Sequence, residues 1–189
     1  VLVVDLDSQG SMTSIMGGRV RDEWSTAFPL LAKDYALALQ DENHVRAAAG
    51  QPPLPFDETL TEALKLTARD LIQPTHWPNI DLLGAQLNLY WAEFQVPVWR
   101  MGLRSWPLWD ALGNALSNDR IINEYDIIIL DTPPALGYLT INALAAADIL
   151  LVPLGATFLE FDSTGRFFDM LYSTFASVEE GENAARRRN

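Results

Sequence analysis

The stretch of residues 126–154, DIIILDTPPALGYLTINALAAADILLVPL, constrains the fold more than any other part of this sequence. It holds two short apolar runs, residues 127–130 and 149–154, separated by a turn and an Ala-rich segment of helical character. This pattern predicts a βαβ unit with two buried parallel strands. Asp131 directly follows the first run, so we expect its carboxylate at the carboxyl end of a strand, where open α/β sheets bind ligands.

A similar unit opens the sequence. Residues 1–6 form an apolar run that only Asp5 interrupts, which is typical of a strand buried on both faces. Asp5 and Asp7 are therefore expected at the carboxyl end of this strand. A turn follows, and Ser11 is expected to cap a short helix over residues 12–16.

Weaker patterns complete a single α/β domain over residues 1–189, with a mainly parallel sheet flanked by helices. They predict a short strand over residues 80–83 and helices over residues 36–49, 57–65, 68–73, 86–93, 108–122 and 161–175. Asp57 or Thr59 is expected to begin the helix over residues 57–65, and Thr59 and Glu62 have the spacing of a capping box. Insertions are expected at about residues 19–57 and 95–120. The second holds Trp99, Trp106 and Trp109, which we interpret as core anchors, with a partner-binding surface as the alternative.

Composition narrows the functional classes. With 189 residues, 49% of them hydrophobic, the chain can bury a substantial core. No apolar run approaches the roughly 20 residues that span a bilayer, and no signal peptide is visible, so we expect a cytoplasmic protein without membrane contact. The absence of cysteine excludes disulfides and thiolate metal sites. The net charge of −12 means that contact with nucleic acid needs a local basic patch or a divalent ion.

Three carboxylates are thus predicted to follow strands of one sheet. Neighbouring parallel strands would bring Asp5, Asp7 and Asp131 close together. Such a cluster suits Mg²⁺, which prefers oxygen ligands and commonly serves a phosphate in proteins. The alternative is that each Asp is only a turn former or helix cap, which explains the residues one at a time.

Three segments resemble the ParA-type partition ATPases. VLVVDLDSQGSMTSIMG is similar to their strand followed by D-x-D-P-Q-G-x-x-T, with Ser8 in place of the usual Pro, a change that loosens the turn. DIIILDTPPALGYLTINALAAADILLVPL resembles their Walker B and switch II segment, and the DTPP-x-LG run is highly specific. NIDLLGAQLNLYWAE is most similar to the RepA branch of repABC plasmids.

The resemblance implies a P-loop NTPase-like layered fold and a magnesium-dependent ATPase. Asp7 would orient the water that attacks the γ-phosphate, and Asp5 and Asp131 would hold Mg²⁺, mostly through waters. Residues 132–137 would form the switch that senses the γ-phosphate. The residues implied in binding ATP are Asp5, Gln9, Gly10, Thr132, Pro133, Pro134 and Gly137.

The resemblance also implies a functional cycle: an ATP-sandwiched homodimer binds nonspecific DNA on the nucleoid, and a ParB-type partner stimulates hydrolysis and release. One motif of the family is absent. The sequence contains no G-x-x-x-x-G-K-[ST], and its lysines are Lys33 and Lys65, neither in a Gly-rich setting. We therefore expect the chain to be a fragment whose P-loop lies upstream of Val1, and to be inactive alone.

Other classes fit less well. A MinD-like cell-division ATPase shares the same motifs, and a non-catalytic scaffold or DNA-binding member would keep the fold. A haloacid-dehalogenase phosphotransferase would use Asp5 as nucleophile but requires Thr or Val where this sequence has Gln9. A nitrogenase iron protein requires cysteines that are absent here.

Overall fold

The computed structural model describes residues 1–153, 155 and 158–186, without the side chains of residues 23, 158–161 and 178–186. The chain divides into two compact units, Val1–Ala147 and Asp148–Asn189. Among the described residues, no helix is long and apolar enough to cross a membrane.

The first unit contains a four-stranded sheet with strand order β2-β3-β1-β4. Its strands are β1 (Leu2–Asp5), β2 (Ile72–Pro74), β3 (Asp81–Leu83) and β4 (Ile128–Asp131). β1 pairs in parallel with both β3 and β4, whereas β2 pairs antiparallel with β3. The predicted, mainly parallel sheet is confirmed. β2 was not predicted because it has three residues and ends at a proline, which gives almost no periodic signal.

Helices flank this sheet. In the first unit they are α1 (Ser11–Ile15), α2 (Phe28–Ala48), α3 (Glu58–Ala63), α4 (Ala68–Leu71), α5 (Ala92–Gly102), α6 (Ala111–Asn118) and α7 (Tyr138–Ala146). Short 3-10 helices cover Glu23–Ser25, Leu87–Trp91 and Ile121–Asn123. In the second unit, α8 covers Phe158–Arg186.

An aromatic cluster anchors α5 and the segment after it to α2. The Tyr35 ring stacks on Trp99 with ring centroids 5.3 Å apart, and Trp106 meets Tyr35 edge to face. Trp99 and Trp106 are buried, which confirms the core interpretation for these two residues. The indole N–H of Trp106 donates to Asp34 Oδ2 at 2.7 Å. Desolvation raises the pKa of the Asp34 carboxyl, partly offset by this hydrogen bond.

The predicted second strand of the βαβ unit, residues 149–154, is wrong for residues 149–153, and Leu154 lies outside the described residues. No strand forms there, and Ile149 and Leu151 are 83% and 85% exposed. An apolar run becomes a strand only where another strand offers N–H and C=O partners. None of the four described strands pairs with it.

The structure decides one predicted helix cap and corrects another. Of Asp57 and Thr59, the two residues expected to begin the helix over residues 57–65, Asp57 precedes α3, and its Oδ1 accepts the backbone N–H of Leu60 at 2.9 Å. Ser11 is the first residue of α1, and Gly10 is the cap residue with φ of 63°. The left-handed conformation at Gly10 fixes the start of α1 one residue earlier than the Ser11 cap predicted.

Candidate functional site

Asp5 is held at the carboxyl end of β1 by three hydrogen bonds. Its side chain is fully buried, and its Oδ1 accepts the backbone N–H of Asp7 at 3.1 Å. Its Oδ2 accepts both the backbone N–H and the hydroxyl of Thr13, at 2.8 Å and 2.6 Å. Most of the acceptor capacity of this carboxylate is therefore used inside the protein.

Thr13 connects α1 to the end of β3. Its hydroxyl donates to Asp5 and accepts the backbone N–H of Ala85 at 2.8 Å. The two elements also approach closely at Gly10, where a Cβ would lie 2.9 Å from the carbonyl oxygen of Ala85. The turn after β1 is thus held by Thr13 and by the close approach of Gly10 to Ala85. Glycine is required at position 10 both because its φ is positive and because a side chain would have no space.

Asp7 lies in the turn itself and is half-buried. Its Oδ1 accepts the backbone N–H of Gln9 at 3.0 Å, and its carbonyl oxygen accepts the N–H of Gly10 at 2.8 Å. The side chain of Gln9 is exposed. Asp7 therefore has free acceptor capacity at the sheet edge, unlike Asp5.

Asp131 lies beside this turn. Asp5 and Asp131 are register partners of the parallel pair formed by β1 and β4, and the N–H of Leu6 donates to the carbonyl oxygen of Asp131 at 2.8 Å. Desolvation raises the pKa of the Asp131 carboxyl, and the negative charges of Asp5 and Asp7 raise it further. This register confirms the expectation that parallel strands bring Asp5 and Asp131 together.

Both lysines of the chain pair with acidic residues outside this carboxylate cluster. Lys33 pairs with Asp119 at 2.9 Å, and Lys65 pairs with Glu62. In the described part of the chain, no three His, Asp or Glu side chains are arranged as a ready metal-binding group. Asp7 and Asp131 still suit Mg²⁺, because this ion keeps several waters and takes only one or two protein carboxylates. Their mutual repulsion is the kind that a cation relieves.

Residues 132–137 connect this edge to α7. Pro134 is exposed, whereas Thr132, Pro133 and Gly137 are half-buried. At the end of the loop, the carboxylate of Glu93 on α5 accepts the N–H of Tyr138 at 2.7 Å and the N–H of Leu139 at 3.0 Å. We call this pair of hydrogen bonds the Glu93 cap.

Sequence reasoning missed Glu93 and, although it placed Thr13 in the motif, missed the structural role of Thr13. Thr13 belongs to the motif, but its role as the link between Asp5 and Ala85 depends on a contact 72 residues apart. Glu93 is 45 residues from Tyr138, and a glutamate in the first turn of a helix is ordinary, so nothing local marks it.

The sequence of this chain matches those of known proteins. Residues 1–183 match the AAA domain family. A putative replication protein A of Sinorhizobium fredii is 32% identical over 90% of this chain and 36% of its own length. The chromosome partitioning protein ParA of Myxococcus xanthus is 35% identical over 96% of this chain and 49% of its own length. The chain thus spans about a third to a half of these relatives.

Solved structures show the same fold. A structure described as a partition protein has a TM-score of 0.66 and 25% identity, over 95% of this chain and 44% of that one. Cobyrinic acid a,c-diamide synthase from Mycobacterium smegmatis, with bound ADP and magnesium, has a TM-score of 0.62 and 25% identity, over 91% and 54% of the two chains. The chain therefore belongs to the AAA domain family, and within it to the ParA-type ATPases.

Proposed function

We propose that this chain forms the magnesium-binding and γ-phosphate-sensing part of an ATPase that partitions plasmid or chromosomal DNA. The observation that carries the proposal is the placement of Asp5 and Asp131 in register on adjacent parallel strands, with Asp7 in the turn beside them. The raised pKa of Asp131 supports it, because like charges held together suit a bound cation.

The proposal divides the work among the three carboxylates. Asp7, which retains free acceptor capacity, would orient the attacking water. Asp131 would bind the hydration shell of Mg²⁺, with Asp5 adding its charge and holding Thr13 and the turn in place. When bound, the ion would neutralise the charge of the phosphates.

Residues 132–137 would sense the γ-phosphate. Gln9, Gly10, Thr132, Pro133, Pro134 and Gly137 belong to the proposed ATP-binding surface. Further parts of the proposal rest on the family resemblance alone: an ATP-dependent homodimer, nonspecific binding of nucleoid DNA, stimulation by a ParB-type protein, and a cytoplasmic location.

The test replaces Asp7 with Ala in the full-length protein and measures steady-state ATP hydrolysis with DNA and partner present. Loss of a water-orienting group should lower kcat by roughly 10²–10⁴-fold, with a smaller change in KM. Asp126→Ala is the matched control, because Asp126 is exposed near the opposite end of β4 and should leave kcat unchanged.

Two results would contradict the proposal. A wild-type protein that hydrolyses no ATP, together with an Asp7→Ala variant that behaves identically, would favour the non-catalytic scaffold. Nucleotide-dependent binding to lipid vesicles without binding to DNA would favour the MinD-like cell-division class.

A further inference from the structure

The amino terminus of α7 has no cap of its own. Gly137 is the cap residue and has no side chain, so it cannot accept a hydrogen bond from the first turn. The first N–H groups of a helix also lack acceptors within that helix. The Glu93 cap satisfies two of them, the amides of Tyr138 and Leu139.

We propose that Glu93 is a positioning residue for the γ-phosphate-sensing loop, residues 132–137. The inference rests on the proposed function and deepens it. Because α7 begins directly after this loop, a carboxylate that fixes the first turn of α7 also fixes where the loop ends. Glu93 thereby connects α5 to the nucleotide site without itself contacting nucleotide.

The chemistry of a glutamate suits this role. Its two oxygens accept from two successive amides, and its negative charge is stabilised at the positive end of the helix dipole. A glutamine in the same place offers one acceptor oxygen, and its amide group would face an N–H donor. An alanine would leave both amides without this partner.

Gly137 supplies an independent observation. A Cβ at this position would lie 2.6 Å from Oε1 of Glu93 and 2.7 Å from Cδ and Oε2. The backbone of Gly137, with φ of −90° and ψ of −174°, is extended and open to any residue. A side chain at position 137 would therefore displace the Glu93 carboxylate from the cap, although the backbone conformation itself would accept any residue.

The rest of α7 is held by contacts with other residues of the first unit. Loss of the Glu93 cap would therefore move mainly the 132–137 loop. The Tyr138 ring stacks on Trp109 with centroids 5.4 Å apart. The side chain of Asn142, which is buried, accepts the N–H of Leu112 in the first turn of α6 at 3.1 Å. With α7 held by α5 and α6, loss of the Glu93 cap would release the end of the 132–137 loop first.

The first test measures hydrogen exchange of individual amides in the full-length protein. In Glu93→Ala, the amides of Tyr138 and Leu139 should exchange roughly 10- to 100-fold faster, since bonds to a charged acceptor are lost. Glu93→Gln should give an intermediate effect. Glu58→Ala is the control, because Glu58 is exposed in the first turn of α3. Unchanged exchange in Glu93→Ala would overturn the proposal.

A double-mutant cycle tests the geometry. Gly137→Ala alone should destabilise the first turn of α7 by clashing with Glu93, as measured by the same amide exchange. In the Glu93→Ala background the clash is absent, so Gly137→Ala should add little further effect. Equal effects of Gly137→Ala in both backgrounds would show that the glycine serves another purpose and would overturn the argument.

The last test connects the cap to chemistry. Glu93→Ala should lower kcat by about 10- to 100-fold with KM changed less than kcat, because the loop is misplaced while ATP still binds. Partial recovery of kcat in Glu93→Gln supports positioning. Wild-type kcat in Glu93→Ala, with faster exchange at Tyr138, would overturn the inference and leave the proposed function standing. A wild-type protein without ATPase activity would overturn both.

Discussion

β1 and β4 are adjacent strands of equal length in one sheet, yet they end in different environments. β1 pairs on both sides, all four of its residues are buried, and the carboxylate of Asp5 is satisfied by hydrogen bonds. β4 pairs only with β1 among the described strands, and Ile129 is 47% exposed. At its end, Asp131 has a raised pKa because of desolvation and the charges of Asp5 and Asp7.

Under the proposed function, this difference separates a stabilising carboxylate from a cation-binding one within one sheet. The carboxylate that the protein itself satisfies acts as an internal anchor. The carboxylate whose repulsion is left unrelieved is the one available to a cation. We therefore propose two different roles for the same residue type at the ends of two strands that are neighbours in space, although β2 and β3 lie between them in the sequence.

The largest difference should appear when apolar residues of the two strands are truncated. Leu2→Ala removes a fully buried side chain of β1 and should lower the free energy of unfolding by about 2–5 kcal/mol. Ile129→Ala on β4 should lower it by less than about 1 kcal/mol, because the side chain is half exposed. Denaturant unfolding measures both. Equal losses would mean that the outer edge of β4 is covered in solution.

A smaller loss is expected when the anchor of Asp5 is removed. Thr13→Val keeps the shape but removes the hydroxyl, so Asp5 loses one charge-assisted bond and the N–H of Ala85 loses its acceptor. We expect destabilisation of roughly 2–4 kcal/mol. Thr61→Val is the control, because the Thr61 hydroxyl is exposed and donates to the Asp57 carbonyl oxygen. A Thr13→Val protein as stable as wild type would show that the anchor contributes nothing.

The comparison also shows what the sequence can predict. Strands β1 and β4 and helix α1 follow from local apolar runs and turn residues, and the shared edge of Asp5 and Asp131 follows from the parallel pairing of neighbouring strands. These inferences need only near neighbours in sequence or one general rule of topology.

What could not be predicted depends on distant contacts. Residues 149–153 have the composition of a strand, but they pair with none of the four described strands. The link between Thr13 and Ala85 and the Glu93 cap each join residues far apart in the chain. Trp91 is 62% exposed while Trp99 is buried, a distinction that tryptophan content alone does not make.

The smallest effect, and one of opposite sign, is expected for Asp131→Asn. The pKa of Asp131 in the folded protein is raised above its ordinary value of 3.8. The residue therefore contributes fully to stability only at pH values below 3.8. This contribution is lost as the pH rises through the folded pKa. At pH 7 the ionised carboxylate therefore destabilises the protein, and Asp131→Asn should be more stable than wild type. The gain should be below about 1 kcal/mol, because solvent screens a half-buried group.

The pH dependence of this gain decides whether repulsion is its cause. Unfolding free energies of wild type and Asp131→Asn should converge as the pH falls below 3.8, where the carboxyl becomes protonated in both the folded and the unfolded protein. Asp126→Asn, with its exposed side chain, should show no such convergence. A gain that is the same at all pH values would point to packing instead. Millimolar Mg²⁺, compared with a monovalent salt at equal ionic strength, should shrink the gain at pH 7, because a cation at Asp131 relieves the repulsion that asparagine removes.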